Sequence, residues 1–388
     1  MASISSWSDL PQDLLRLVIA RVALPVDRAR FRAVCRSWRS VPSPRRTPWL
    51  VAPDGFLMRF EDDPCRLVAF PDNCRCIGST DSWLVMDLTD SKTRTHTYTL
   101  ENFFSKTTVP FPELDTVIGN VSKPFEVRKV LMRSPPEGLV AVRTNKYSYP
   151  IILVQPGKGL WLPQPRTAPY TRLIDIAFLH DRLYGLTRDE DLFSFHIAFD
   201  GKGAPTVTGM ECIVKHSTVD HDHHEHGLEQ PRKSTGDNIE YNGMRYDDDE
   251  DGVVMTIWYL VESRARGKLL MVRRQIKGPQ LATRFTCKVE VFEADASTST
   301  WVPVSGGLDG HALFVSKRFS RSVFAGGDVA EDTIYFMETG EAYNMRSKTT
   351  TPPILMASTH ATCLFLPGSL DCYKKEKEST YTNLRVDQ

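Results

Sequence analysis

The sequence predicts a mainly β chain: a short all-α N-terminal segment followed by a β-propeller of about six or seven blades. Three observations carry this expectation. Apolar residues recur at helical spacing only within the first fifty positions. From about residue 55 the period changes to two, in short β-branched and aromatic runs split by turn signals. The strand-rich body of roughly 310 residues is too long for one sandwich, yet it fits six or seven four-stranded blades of ~40–50 residues each. The expected division is residues 1–48 for the helical segment, 49–372 for the propeller with a mobile insertion near 200–251, and 373–388 for a disordered tail.

The helical segment contains two amphipathic patterns. In the first, Leu10, Leu14, Leu15, Val18, Ile19 and Val22 recur at offsets that place them on one helix face. Pro11 suits the first helical position, where its missing N–H costs nothing, and Asp13 follows on the favourable side of the helix dipole. In the second, Phe31, Val34, Cys35, Trp38 and Val41 form a stripe, with five arginines mostly on the other face. Pro42, Pro44 and Pro48 then stop the pattern. Two helices this short bury too little apolar surface to be stable alone, so their apolar residues need a partner. Periodicity leaves open whether that partner is the rest of the chain or another polypeptide.

The body reads as successive hairpins. Ile174–Leu179 turns through His180-Asp-Arg182 into Leu183–Leu186. Val253–Val261 pairs with Lys268–Ile276 across residues 263–267, and Thr333–Met337 turns at Gly340 into Ala342-Tyr343. Strand–turn–tryptophan units end at Trp161 and Trp301. Trp83, Trp161, Trp258 and Trp301 are read as blade packing, because large aromatics supply most core burial. Lys268, Arg273, Arg274 and Lys277 would split between the two faces of one strand, which argues against a basic groove for nucleic acid.

Composition narrows the classes. Hydrophobic residues make up 41% and charged residues 25%, as in soluble globular proteins. Lys+Arg 48 balances Asp+Glu 48, so no global field draws nucleic acid or membrane. No apolar run reaches the ~20 residues that span a bilayer, and the first residues lack the basic-then-apolar pattern of a secretory leader. Eight cysteines in 388 residues make no disulfide scaffold, and Cys74-Arg-Cys76 is too close and too isolated for a zinc site. Reduced thiols and a location in nucleus or cytoplasm are expected.

Catalytic signals are thin. There is no Gly-rich phosphate loop, HExxH or nucleophile elbow. Residues 200–251 carry His221-Asp-His-His-Glu-His226 and the acidic run Asp247–Asp251. Imidazole and carboxylate suit zinc, copper or nickel, but a loop lacks the rigid frame that metal sites use. No cofactor and no metal are expected.

The residue order adds a resemblance. Leu10-Pro11, Asp13-Leu14-Leu15, Leu24-Pro25, Asp27, Phe31 and the run Val34 to Arg39 closely resemble the F-box. In that family the helices dock onto a Skp-type adaptor, which bridges to a cullin–RING ubiquitin ligase. The resemblance implies that Leu10, Pro11, Leu14, Leu15, Ile19, Pro25, Val34, Cys35 and Trp38 are adaptor-facing or helix-packing residues. Arg28 stands where the family usually has leucine; a charge there is expected to weaken the adaptor contact, although a long arginine stem can still cover apolar surface. From Val130 to about Leu370 the order of LVQPGKGLW, IAFLHDRLYGLT, YLVESRARGKLLMVRR, FTCKVEVFEADASTSTWVPV and DTIYFME resembles the propeller of a large plant F-box family, long filed as a domain of unknown function. Together these resemblances imply a non-enzymatic substrate receptor of an SCF-type ligase, with the propeller holding an unidentified target protein. Loops near residues 161–172, 200–251 and 305–320 are candidates for that contact. The alternatives are a non-degradative adaptor-bound scaffold, or a metal-assisted hydrolase using the histidine run.

Overall fold

The computed structural model describes residues 7–22, 30–41, 49–51, 57–59, 73–79, 83–93, 95–102, 107–119, 127–133, 138–145, 149–163, 169–215, 244–249, 252–277, 285–326, 329–351 and 363–365. After residue 41 the described chain is strand and turn, with only short helical turns at Pro112–Leu114, Asp115–Gly119 and Tyr170–Arg172.

The strands form five blades in chain order. The first contains Cys74–Ser79, Trp83–Thr89, His96–Asn102 and Thr107–Pro110. The second contains Val127–Met132, Val140–Thr144, Ile151–Gln155 and Gly159–Trp161, and the third Leu173–Leu179, Arg182–Thr187, Leu192–Phe199 and Pro205–Val214. The fourth has five strands, Met244–Asp249, Gly252–Ser263, Lys268–Lys277, Phe285–Asp295 and Thr300–Pro303. The fifth also has five, His311–Val315, Ser320–Phe324, Thr333–Phe336, Ala342–Asn344 and Thr349–Thr351. In the fifth blade the order departs from a meander: His311–Val315 pairs antiparallel with Ser320–Phe324 and parallel with Thr333–Phe336.

Both ends of the body meet in a smaller three-stranded sheet. Trp49–Val51 lies antiparallel between Leu57–Arg59 and Cys363–Phe365, with Leu50 opposite Met58 on one side and Leu364 on the other. Pairing the first strand with the last ties both ends of the body into one sheet and closes the ring.

The expectation of six or seven blades is corrected to five. Only the fourth blade exceeds ~40–50 residues, running from residue 244 to 303 with strands of up to 12 residues, and further chain is spent between blades, as in residues 215–243 between the third and the fourth. The ends of the body, moreover, go into the smaller closing sheet. A second correction concerns residues 200–251. Pro205–Val214 is the outer strand of the third blade, and Met244–Asp249 pairs along Gly252–Ile257. Asp247, Asp248 and Asp249 therefore sit on a strand rather than a loop tip. The histidine run 221–226 and residues 373–388 lie outside the described residues.

Apolar layers between successive sheets hold the ring together. Ile77, Val85 and Leu100 of the first blade pack on Val130, Val142 and Ile152 of the second. Leu139, Ile151 and Leu153 meet Leu173, Leu183 and Phe195. Leu186 and Leu192 meet Trp258, Leu260 and Leu269. Tyr259, Val261 and Val272 meet Leu313, Ile334 and Phe336. Leu50 of the closing sheet then packs on Phe314 and Tyr335 of the fifth blade. Alternation explains this arrangement, since successive residues of a strand face opposite neighbours and both faces are covered. The four tryptophans expected to pack do so: Trp258 is buried, while Trp83, Trp161 and Trp301 lie half-buried against these layers.

Candidate docking surface

The helical segment builds its own small core. Helix Gln12–Arg21 starts after Pro11, whose carbonyl accepts the Leu15 N–H at 3.1 Å, and Asp13 lies in its first turn. Pro11 is thus the residue before the helix rather than its first member. Leu15 and Ile19, four residues apart, are 0% and 1% exposed and pack on Phe31 and Val41. Leu10 and Trp38 cover this cluster at its edges. The Phe31 and Trp38 rings lie 4.4 Å apart, and the Trp38 indole N–H donates to the Trp7 carbonyl at 3.0 Å.

The second expected helix is broken. Cys35 has extended backbone, and only Arg36–Ser40 follows as a helix. Val34 falls at the break and points to solvent, 56% exposed.

On the other side of the first helix, Leu14, Leu17 and Val18 are 48%, 54% and 41% exposed. Spacings of three and four make them neighbours on one face. Trp7 is also exposed. Five of the nine large hydrophobic side chains exposed among the described residues lie in this short segment. Scattered apolar residues need no explanation, but a concentration of this kind marks an interaction surface.

The residues expected as adaptor-facing or helix-packing therefore divide. Leu15 and Ile19 are helix-packing residues with no surface to offer, and Leu10 and Trp38 are mostly so. Leu14, Val34 and Pro11 are exposed, Cys35 is half-buried, and Pro25 lies outside the described residues. Sequence reasoning left Trp7, Leu17 and Val18 out of the site. Val18 was legible from its spacing to Leu14, whereas Leu17 lies off the expected stripe, and only the packing of Leu15 and Ile19 shows which side stays open.

Comparison with known proteins matches this division of the chain. The KIB1-4 beta-propeller model matches residues 57–365, and the F-box domain model matches residues 7–47. The chain belongs to the KIB1-4 beta-propeller family. The chain is also similar to F-box protein At2g17036 of Arabidopsis thaliana, at 44% identity over 43 residues. That match covers 11% of this chain and 11% of the relative, so the chain aligns with only about a tenth of that protein's length. The resemblance to a plant F-box protein with a C-terminal propeller is upheld in both its parts.

A group of buried charged side chains lies where strands of successive blades of this KIB1-4 propeller converge. The Lys129 ammonium donates to both Asp175 carboxylate oxygens at 2.8 and 3.0 Å, to the Ser320 hydroxyl at 3.2 Å and to the Leu260 carbonyl at 3.3 Å. Asp175 in turn accepts the Leu260 N–H at 2.7 Å and the Ile176 N–H at 2.8 Å. Arg321 donates to the Ser79 carbonyl at 3.3 Å. Side chains of the second, third and fifth blades and backbone of the first and fourth thus join in one polar pin. Burial pushes the Lys129 ammonium below the usual lysine range, and the Asp175 charge opposes that shift. The sequence signal was weak: charged residues set within apolar runs, Val127-Arg-Lys-Val130 and Ile174-Asp-Ile176.

Proposed function

We propose that this protein is the substrate-recognition subunit of an SCF-type cullin–RING ubiquitin ligase. Its F-box docks a Skp-type adaptor and through it a cullin, and its propeller holds the target protein. The chain itself supplies binding, and other subunits supply the chemistry of ubiquitin transfer. The observation that carries this reading is the apolar face Leu14, Leu17 and Val18, left uncovered beside a helical core that is already closed. An exposed apolar face on so small a unit calls for a second polypeptide.

The test separates docking from folding. Leu14→Asp with Val18→Asp places charge on the open face without touching Leu15 or Ile19. This variant should reduce co-purification of a Skp-type adaptor at least about tenfold, the loss expected of a central interface contact, while thermal unfolding of the propeller stays unchanged. Undiminished adaptor binding by a folded variant refutes the docking assignment. Target abundance, compared with and without proteasome inhibition in cells carrying the intact chain or this variant, distinguishes degradation from scaffolding.

A further inference from the structure

The segment that carries the open apolar face is also strongly basic. Residues 1–48 hold nine arginines, no lysine, three aspartates and no glutamate, a net charge of +6 in a chain whose total is zero. The remaining residues carry the opposite excess, 39 Lys+Arg against 45 Asp+Glu. The whole chain therefore has no long-range field, but a partner within a Debye length of the helical segment, ~10 Å at 0.1 M salt, meets a positive one.

The fold itself makes little use of two of these arginines. Arg36 and Arg39 lie three apart on the helix Arg36–Ser40, which places them on one side of it, and both are exposed. Arg16 is already paired with Asp13 at 3.6 Å, whereas among the described residues no carboxylate pairs with Arg36 or Arg39. The Arg39 Nε–H donates to the Arg32 carbonyl at 3.3 Å. Arg36 opens its helix, where a positive charge opposes the helix dipole, so local stability does not account for it. The same helix adjoins the exposed apolar surface, since the Trp38 indole N–H donates to the carbonyl of Trp7, which is 76% exposed.

Protein interfaces combine an apolar centre with a polar rim, and arginine is enriched in them while lysine is depleted. We propose that Arg36 and Arg39 form a basic rim to the docking surface, which meets an acidic patch on the Skp-type adaptor and speeds its encounter with this chain. The identity of the partner rests on the ligase reading; the acidic chemistry of its contact rests on the charge of the segment. A protein is favoured over nucleic acid because the aliphatic face Leu14, Leu17 and Val18 of the same small unit gains nothing from a solvated phosphate backbone. Charges at a rim act mainly on the association rate and its salt dependence.

The experiment is association and dissociation kinetics of the purified full-length chain with a purified Skp-type adaptor, at low and at high ionic strength. Arg36→Gln with Arg39→Gln should lower the association rate about tenfold at low ionic strength and leave the dissociation rate unchanged. The difference should fade at high ionic strength, where the charges are screened. Arg36→Lys with Arg39→Lys keeps the charge and should retain the wild-type rate, which separates steering from a structural role. An association rate of the intact chain that does not change with salt overturns the proposal without any variant. So does a folded glutamine variant with the wild-type rate and salt dependence, and in both cases docking itself stands. An intact chain that does not bind the adaptor at either ionic strength removes the docking reading and the rim with it. Loss of heparin binding in the glutamine variant, with adaptor kinetics unchanged, assigns the two arginines to a polyanion and overturns the proposal.

Discussion

Leu14 and Leu15 are adjacent and chemically identical, yet one is 48% exposed and the other fully buried. A helix turns about 100° per residue, so neighbours in sequence serve different surfaces. Arg273 and Arg274 divide in the same way on a strand. Arg273 bonds Glu190 of the third blade and Glu290 of the adjacent strand, while Arg274 is fully buried against Glu341 and over the Phe336 ring, 4.0 Å from its centroid. Cys74 shows the same local control over chemistry. Burial first, then the nearby Glu101 and Asp87 charges, raise its thiol from 9.0 to about 11. The thiol is thus held protonated in the fold, while the unfolded chain ionises near 9.0. Between those values the unfolded state binds fewer protons, so stability falls as pH rises. Urea midpoints measured at pH 8 and pH 10.5 should show this alkaline loss in the wild type and a smaller one in Cys74→Ala. An identical pH dependence would remove Cys74 as its source.

At the scale of the element, hairpins follow local rules. Leu173–Leu179 and Arg182–Thr187, Gly252–Ser263 and Lys268–Lys277, and Thr333–Phe336 and Ala342–Asn344 all pair where alternation and turn residues place them. The turn at residues 180–181 places His180 at φ 52, in the left-handed region where His, Asn and Asp are enriched among residues that carry a side chain. Gly78 has a different reason. A Cβ there would stand 2.5 Å from the Val130 Cβ, because the backbone of the first blade lies directly against that side chain of the second. Gly78→Ala should therefore destabilise the propeller by about 1–3 kcal/mol, the usual cost of overpacking, measured by denaturant unfolding. Gly201, where added atoms meet nothing within 4 Å, is the control and should tolerate alanine with little change. The helical elements were less legible. The pattern from Phe31 to Val41 satisfies a helix by spacing, but the chain breaks at Val34 and Cys35, where a β-branched residue and an extended backbone intervene.

Across the whole molecule, the ring depends on contacts between residues hundreds of positions apart. The closing sheet pairs Leu50 with Leu364, and Lys129 of the second blade reaches Ser320 of the fifth. Truncation after residue 362 removes the last strand and opens the ring, exposing the edges of Trp49–Val51 and of the sheets beside it. This chain should show a lower and broader thermal transition and concentration-dependent aggregation. Truncation after residue 372 keeps Cys363–Phe365 and should match the full-length chain in calorimetry. Equal stability of both truncations would mean that the ring does not rely on this closure.

The order of residues was enough to establish a helical segment followed by a β body, the hairpins, and the likeness to F-box and propeller families. These follow from periodicity, turn chemistry and motif order, all local properties of the chain. The blade number, the five-stranded fourth and fifth blades and the closing sheet followed only from tertiary pairing, because strand count per sheet is set by which edges meet. The open face of the first helix and the buried charged group depended on it too. Spacing shows that side chains share a face, but whether that face is covered depends on packing partners far away in the sequence.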